Sequence, residues 1–226
     1  MKLEFSPKKI LIVHVALIFL LLCANVLSRL KGVYFGDPIT LFDFNAERNV
    51  PTFFSGFMIL VCGALLYLIA INQKKEQLSY IPWLGLSFIF LFLSLDEIAS
   101  VHEKFTSPVR ETFETSKLLY YAWVLPYGAA LIVFVVAYSK FLWDLPKKTM
   151  ALFVLSGSIF VIGAIGFEML GGRQAEVLGK DNTLYFLFST CEEFLEMLGI
   201  AIFLYSLLLY ITTNFKSLKI TIANGS

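Results

Sequence analysis

Six apolar stretches, each long enough to cross a bilayer, dictate what this chain can fold into. A membrane-spanning helix needs about 20 mostly apolar residues. Inside lipid it must also satisfy every backbone N–H and C=O within itself, which a helix does. The stretches fall at about residues 10–28, 52–71, 81–104, 118–141, 149–170 and 184–212. They predict an all-α polytopic membrane protein, a six-transmembrane-helix bundle forming a single transmembrane domain over residues 1–226. The charged fraction is 15%, against about a quarter in soluble domains, so a water-facing surface of ordinary size is not available. The lipid bilayer is therefore the first expected partner. A net charge of +1 argues against nucleic acid. No dinucleotide, P-loop or zinc-finger spacing is present.

Prolines, glycines and polar residues punctuate the runs. Asn49 is placed to cap a helix that Pro51 opens, and Pro82 opens the third span. Pro108 follows the third span, Pro126 predicts a kink inside the fourth, and Pro146 and Gly171–Gly172 bracket the fifth. The small residues of "SGSIFVIGAIG" predict close helix contact in the fifth span. Lys2, Lys8 and Lys9 before Ile10 to Leu22 imitate a signal peptide. Leu22 stands where a small residue would precede cleavage, and the apolar run resumes after Asn25, so an uncleaved first helix is expected. Cys23, Cys62 and Cys191 lie far apart inside apolar runs and read as small buried hydrophobes. His14 reads as a packing histidine. Tyr80, Trp83, Tyr120, Tyr121, Trp123 and Trp143 fall near span ends and read as headgroup-level anchors.

Orientation follows from the basic residues. With both termini cytoplasmic, the inner side holds ten lysines beside the spans, among them Lys74, Lys75, Lys147, Lys148, Lys216 and Lys219. The outer side then holds eight basic residues, including all four arginines. Six spans return the C-terminus to the cytoplasm, which also leaves the closing "NGS" unglycosylated. The expected location is the inner (plasma) membrane.

The carboxylates are the informative part. Of seventeen acids, only Glu4, Glu76 and Asp144 fall on the inner side. Asp96, Glu97 and Glu103 lie toward the outer end of the third span, beside His102. Glu168 lies at the outer end of the fifth. Glu192, Glu193 and Glu196 lie in the first half of the sixth. Three helices of differing direction thus bring acids to one depth, in the outer half of the bilayer. An ionisable residue there costs roughly 2.5–3.5 kcal/mol on insertion scales, so seven invite a functional explanation. At 100° per residue Glu192 and Glu196 lie about 40° apart, and Asp96 and Glu103 about 20° apart if the third helix continues through both. Glu97 and His102 then sit to either side. Asp37, Asp43 and Glu47, in the first outer loop, read as solvated.

Like charges this close need something positive among them. Carboxylates with one imidazole suit a hard divalent metal ion, Fe, Mn, Mg or Ca, rather than Zn or Cu. The candidate ligands are Asp96, Glu97, His102, Glu103, Glu168, Glu192, Glu193 and Glu196. Glu193 and Glu196 form Glu-x-x-Glu, but no Glu-x-x-His of the di-iron bundle kind exists. One or two metal ions at this depth would serve an enzyme acting on a small hydrophobic substrate, lipid-like or quinone-like. The alternatives are a cation- or proton-coupled transporter, whose acids hold protons, and a non-catalytic subunit whose acids form a lattice with arginine. Whether the protein is an enzyme, and its oligomeric state, are left open by the sequence.

The segments "ERNVPTFFSG", "LSLDEIASVHEKF", "AWVLPYG" and "EEFLEMLGI" together resemble a family of uncharacterised bacterial multi-pass membrane proteins of unknown function. The resemblance covers nearly the whole chain. It implies six-span architecture and carries no activity or catalytic residue with it.

Overall fold

The structure, a computed structural model, describes residues 6–215. The terminal lysines Lys2, Lys216 and Lys219, Glu4 and the "NGS" triplet lie outside the described residues. Seven helices follow in order: α1 Pro7–Phe35, α2 Val50–Lys75, α3 Ile81–Ala99, α4 Glu103–Phe113, α5 Val124–Asp144, α6 Lys147–Leu178 and α7 Thr183–Asn214. All but α4 are long and apolar enough to cross a membrane. The protein is thus an all-α polytopic membrane bundle. At 1.5 Å per residue the 32-residue α6 and α7 are each about 48 Å long, past the roughly 30 Å of hydrocarbon. The 19-residue α3, at about 28 Å, only just spans it.

Helix starts follow the expected chemistry. Asn49 caps α2 by accepting from the Thr52 backbone N–H at 3.1 Å, ahead of Pro51. Asn182 caps α7 by accepting from the Tyr185 backbone N–H at 2.9 Å. Pro126 is the third residue of α5, within the first turn. There the missing N–H has no intrahelical partner to lose, so the expected kink does not arise.

Helix α7 is central, packing on α1, α2 and α6, while α2 and α3 form a tight antiparallel pair. Glycines let backbones approach in both seams. Ser87 and Ser94 of α3 donate from Oγ to the carbonyls of Gly63 and Gly56 of α2, both at 2.8 Å. In the α6–α7 seam, a Cβ on Gly163 would stand 2.8 Å from the Glu192 carbonyl oxygen, and one on Gly199 would stand 2.9 Å from that of Ser156. The packing role expected of "SGSIFVIGAIG" is what these contacts describe. Without a water-driven hydrophobic effect between helices in lipid, such close contacts and interhelical hydrogen bonds carry the association. Three further bonds tie the bundle: Asn25 Nδ2 to Thr190 Oγ1 (3.0 Å), the Phe44 N–H to Asn25 Oδ1 (3.0 Å), and Gln73 Nε2 to the Tyr210 hydroxyl (2.7 Å).

Two sequence expectations change here. The third span does not run to 104. It stops at Ala99 because Ser100 turns left-handed (φ 48°), with the N–H groups of Ser100 and Val101 both returning to the Asp96 carbonyl. The chain then restarts as the short surface helix α4, which contains Pro108. The fifth span does not end near 170 either, but continues to Leu178 through a π-helical segment, Ile162–Phe167.

The aromatic anchors divide. Trp143 is 81% exposed, as an anchor should be. Trp83 is a core residue, 2% exposed, wedged among Phe141, Phe153 and Tyr210. Trp123 is buried as well. The cysteines are free: Cys62 is buried, Cys191 half-buried and Cys23 exposed, so only the first fits the expected role fully. His14 is half-buried, bonds through Nδ1 to the Ile10 carbonyl at 2.7 Å, and lies near Phe54.

Candidate functional site: a carboxylate centre between α3, α6 and α7

The acids meet because three backbone devices aim them at one another. The first is the π segment. In an α-helix, residues five apart lie about 140° apart. A π turn closes i→i+5 and brings such residues onto one face. Gly163 lies at its start against Glu192, and Glu168 follows directly after its end. Glu168 consequently faces Glu192 of α7, their carboxyls within hydrogen-bonding reach. Glu168 lies about 15 Å before the end of α6, and Glu193 about 15 Å after the start of α7, so the antiparallel pair carries both at one depth. Glu168 is thus well inside the helix, and not at its headgroup end as its place in the sequence predicts.

The second device is the end of α3. Breaking the helix at Ser100 releases Glu103 from the wheel that placed it over Asp96. Glu103 becomes the first residue of α4 and is exposed. Asp96 is buried and fully engaged. Its Oδ1 accepts from the His102 backbone N–H (2.8 Å) and the Tyr127 hydroxyl (2.8 Å), and its Oδ2 meets His102 Nδ1 at 3.2 Å. Asp96 therefore closes the turn between α3 and α4. Glu97, the neighbour that the wheel set aside, is the one that faces α7. Among charged groups it is the one that Glu193 and Glu196 feel most strongly.

The third device is the loop before α2. Asn49 folds it by donating to the carbonyls of Asp43 and Ala46, both at 2.6 Å, and Arg48 adopts a left-handed conformation (φ 59°). This turns the carboxyl of Glu47 toward the end of α3, where its Oε2 accepts from Ser100 Oγ at 3.0 Å. Partial burial raises the pKa of Glu47, and the Ser100 hydrogen bond offsets part of the rise. Glu47 is exposed, as expected of a solvated loop acid, and lines a cavity of about 400 Å³ shared with Ser100 and Glu103 and flanked by Arg48 and Lys104.

Aromatic residues complete the walls. Trp123 Nε1 donates to Glu168 Oε1 at 2.8 Å, and its ring packs 4.8 Å from His102 and 5.2 Å from Tyr127. Burial alone would lower the pKa of His102. The Asp96 hydrogen bond, together with the charges of Asp96, Glu97 and Glu47, outweighs it and the net shift is upward. Trp123 and Tyr127 thus position the acids. Nothing in the sequence separates such a role from membrane anchoring.

The structure therefore brings together Glu97, Glu168, Glu192, Glu193 and Glu196, adds Glu47, and places Asp96 and His102 beside them as a mutually bonded pair. Glu103 stays at the rim. Among the described residues, no three His, Cys, Asp or Glu side chains stand in metal-ligating geometry. Nor do the arginines neutralise the acids. The ion pairs among the described residues are Arg29–Asp181, Lys31–Asp37 and His102–Asp96, and none involves a glutamate. Glu193 Oε2 is fully buried and has no hydrogen-bond partner among the described residues.

The fold defines an all-α membrane protein with six helices long and apolar enough to span a bilayer. Residues 10–211 match the family described as Domain of unknown function (DUF8692), and the chain belongs to that family. No curated protein and no solved structure matches it.

Proposed function

We propose that the carboxylate centre binds one or two divalent metal ions, Fe, Mn, Mg or Ca, and supports metal-assisted chemistry on a lipid-like or quinone-like substrate. The observation that carries this reading is Glu193 Oε2: an acidic oxygen sealed from water, without a donor, on the face where Glu97, Glu168 and Glu196 also point. An unpaired buried carboxylate is expensive, and lysine and arginine do not compensate it here, so a cation is the natural partner. An oxygen-only donor set from several helices suits hard cations. Glutamate reaches through three rotatable bonds, so Glu193, Glu196, Glu97 and Glu168 close on an ion by side-chain rotation without helix movement. Glu192 supports Glu168 from behind. Asp96 holds His102.

Elemental analysis of protein purified without chelators or a histidine tag tests the reading. Stoichiometric metal is expected in the parent and only background metal in Glu193→Gln and Glu196→Gln variants. Metal retained unchanged in both variants overturns the ligand assignment.

A second reading, a cation- or proton-coupled transporter, is favoured by the nearness of the Glu168 and Glu192 carboxyls, each of which feels the other and which a shared proton suits as well as a metal ion. Proteoliposomes with an imposed pH gradient separate the two. Proton-driven flux that survives chelation and disappears in Glu168→Gln supports the transporter.

The clustered lysines at the end opposite the acids favour a topology with both termini in the cytoplasm and the centre toward the outer face of a bacterial plasma membrane. A fluorescent protein fused after Asn214 should glow, and alkaline phosphatase fused in the α3–α4 turn should be active.

A further inference from the structure

A second cavity, of about 430 Å³, opens between the last turns of α1 and the start of α7, beyond the carboxylate centre. Its walls bring together Arg29, Lys180 and Tyr185 with the apolar side chains of Val33 and Phe186. Arg29 commits one nitrogen to Asp181 at 3.2 Å, a carboxylate whose side chain is 96% exposed and so well screened by water. The guanidinium packs over the Phe186 ring, 5.5 Å from its centre, and its other N–H donors stay available to the cavity. The Lys180 ammonium lies 5.2 Å from the Tyr121 ring and 5.9 Å from the Tyr185 ring. Burial would lower its pKa, but Tyr121 and the acids Glu103 and Glu168 outweigh burial, so Lys180 stays charged. The Tyr185 hydroxyl shares a 3.0 Å hydrogen bond with that of Tyr121. Asp43 and Asp181 also line the cavity; one Asp43 carboxyl oxygen is occupied by the Asn45 backbone N–H at 3.0 Å, and Asp181 is the partner of Arg29. Val33, 63% exposed, belongs to an exposed apolar flank of α1.

Two cations beside an apolar wall recognise a particular kind of molecule. A guanidinium and an ammonium take an oxyanion, and Arg in particular takes phosphate-like geometry. Val33 and Phe186 take hydrocarbon. Lys180 and Tyr185 line this cavity and also lie within electrostatic reach of the glutamates: Lys180 feels Glu168, and Tyr185 feels Glu168 and Glu192. We propose that the cavity seats the oxyanion head group of an amphiphile, a phosphate on a hydrocarbon tail, and that this is the substrate class presented to the carboxylate centre. The second half of that statement rests on the proposed function, and the first half stands without it.

The test uses full-length protein in neutral detergent, treated with EDTA so that binding is read independently of any metal. Native mass spectrometry compares dioctanoyl phosphatidic acid, dioctanoylglycerol and inorganic phosphate. Phosphatidic acid should bind at least about tenfold more tightly than dioctanoylglycerol, the effect expected of one good charge-assisted contact, and far more tightly than inorganic phosphate. Arg29→Gln and Lys180→Gln should each weaken phosphatidic acid about tenfold, and the double variant should lose the preference. Lys180→Arg should keep it, and Lys31→Gln, which removes a nearby surface lysine, should not change it. Arg29 and Lys180 are not core residues, so these variants should fold, and an unchanged melting temperature verifies that. Inorganic phosphate binding as tightly as phosphatidic acid assigns the cavity to a soluble oxyanion and overturns the amphiphile. Equal binding of phosphatidic acid and dioctanoylglycerol, or a preference that survives in the double variant, overturns the site altogether. Parent protein that carries no metal when purified without chelators, yet prefers phosphatidic acid in this assay, would refute the metal reading alone, and stoichiometric metal without lipid preference would refute this one alone.

Discussion

The α2–α3 and α6–α7 seams solve the same packing problem with different outcomes. Both are antiparallel, and both use glycine to bring helices close. In the α2–α3 seam the close approaches at Gly56 and Gly63 are each matched by a bond, since Ser94 and Ser87 donate to those carbonyls. The α6–α7 seam has the glycines, but in place of serine bonds it has a π turn and two neighbouring carboxyls, with the unpartnered Glu193 oxygen on the same helix α7. The first seam is built for stability alone. The second keeps a polar, unsatisfied interior in a place where each such group is costly, which is how a binding site differs from a packing surface.

This contrast can be broken from either side. The largest effect should come from Gly163→Ala. Its Cβ would meet the Glu192 backbone at 2.8 Å, and backbone cannot turn aside, so a loss of about 1–3 kcal/mol is expected together with loss of bound metal. Gly56→Ala would bring its Cβ to 2.5 Å from Ile98 Cγ1 but only to ordinary contact, 3.5 Å, with the Ser94 carbonyl, so a side chain rather than backbone must shift and its melting temperature should fall less. If the two variants melt alike, the seams do not differ as described. Next comes Glu193→Gln, which should abolish metal binding while leaving the melting temperature near or above that of the metal-free parent, because it removes an uncompensated charge. A clear drop in the metal-free melting temperature would mean that Glu193 is structural. Trp123→Phe keeps the ring and removes the donor to Glu168, and should weaken metal binding about 10–100-fold, as outer-shell partners do. An unchanged affinity, measured by competition with a chelating dye, would remove Trp123 from the site. The smallest effect should be Ser94→Ala, about 0.6 kcal/mol of stability with metal content unchanged.

The six spans were legible because a bilayer imposes length and polarity on a helix regardless of tertiary detail. The grouping of acids at one end was legible for the same reason. Which acids face one another was not. That depends on Ser100 adopting a left-handed conformation worth roughly 1–2 kcal/mol of strain, held there by Asp96 and Glu47, and no glycine or proline marks the position. It depends also on the π turn, since "IGAIGF" reads as ordinary small-residue packing. Both devices change angle without changing composition, and a helical wheel drawn through either one points the wrong side chains inward: Glu103 in place of Glu97. For Glu47, the contact with Ser100 escaped for another reason. Its two-residue separation from the cap Asn49 fixes where it goes, but only once the turn around Asn49 is known.

The π turn has a consequence for comparing relatives of this chain. It is equivalent to a single residue inserted between two otherwise continuous halves of α6. A relative shorter by one residue anywhere in Ile162–Phe167 would align with one gap, keep all six spans and keep every glutamate by letter. Yet its Glu168 would swing about 100° off the α7 face. Sequence identity at the acids would then overstate shared chemistry, and the length of this six-residue segment would be the better marker of which relatives keep the centre.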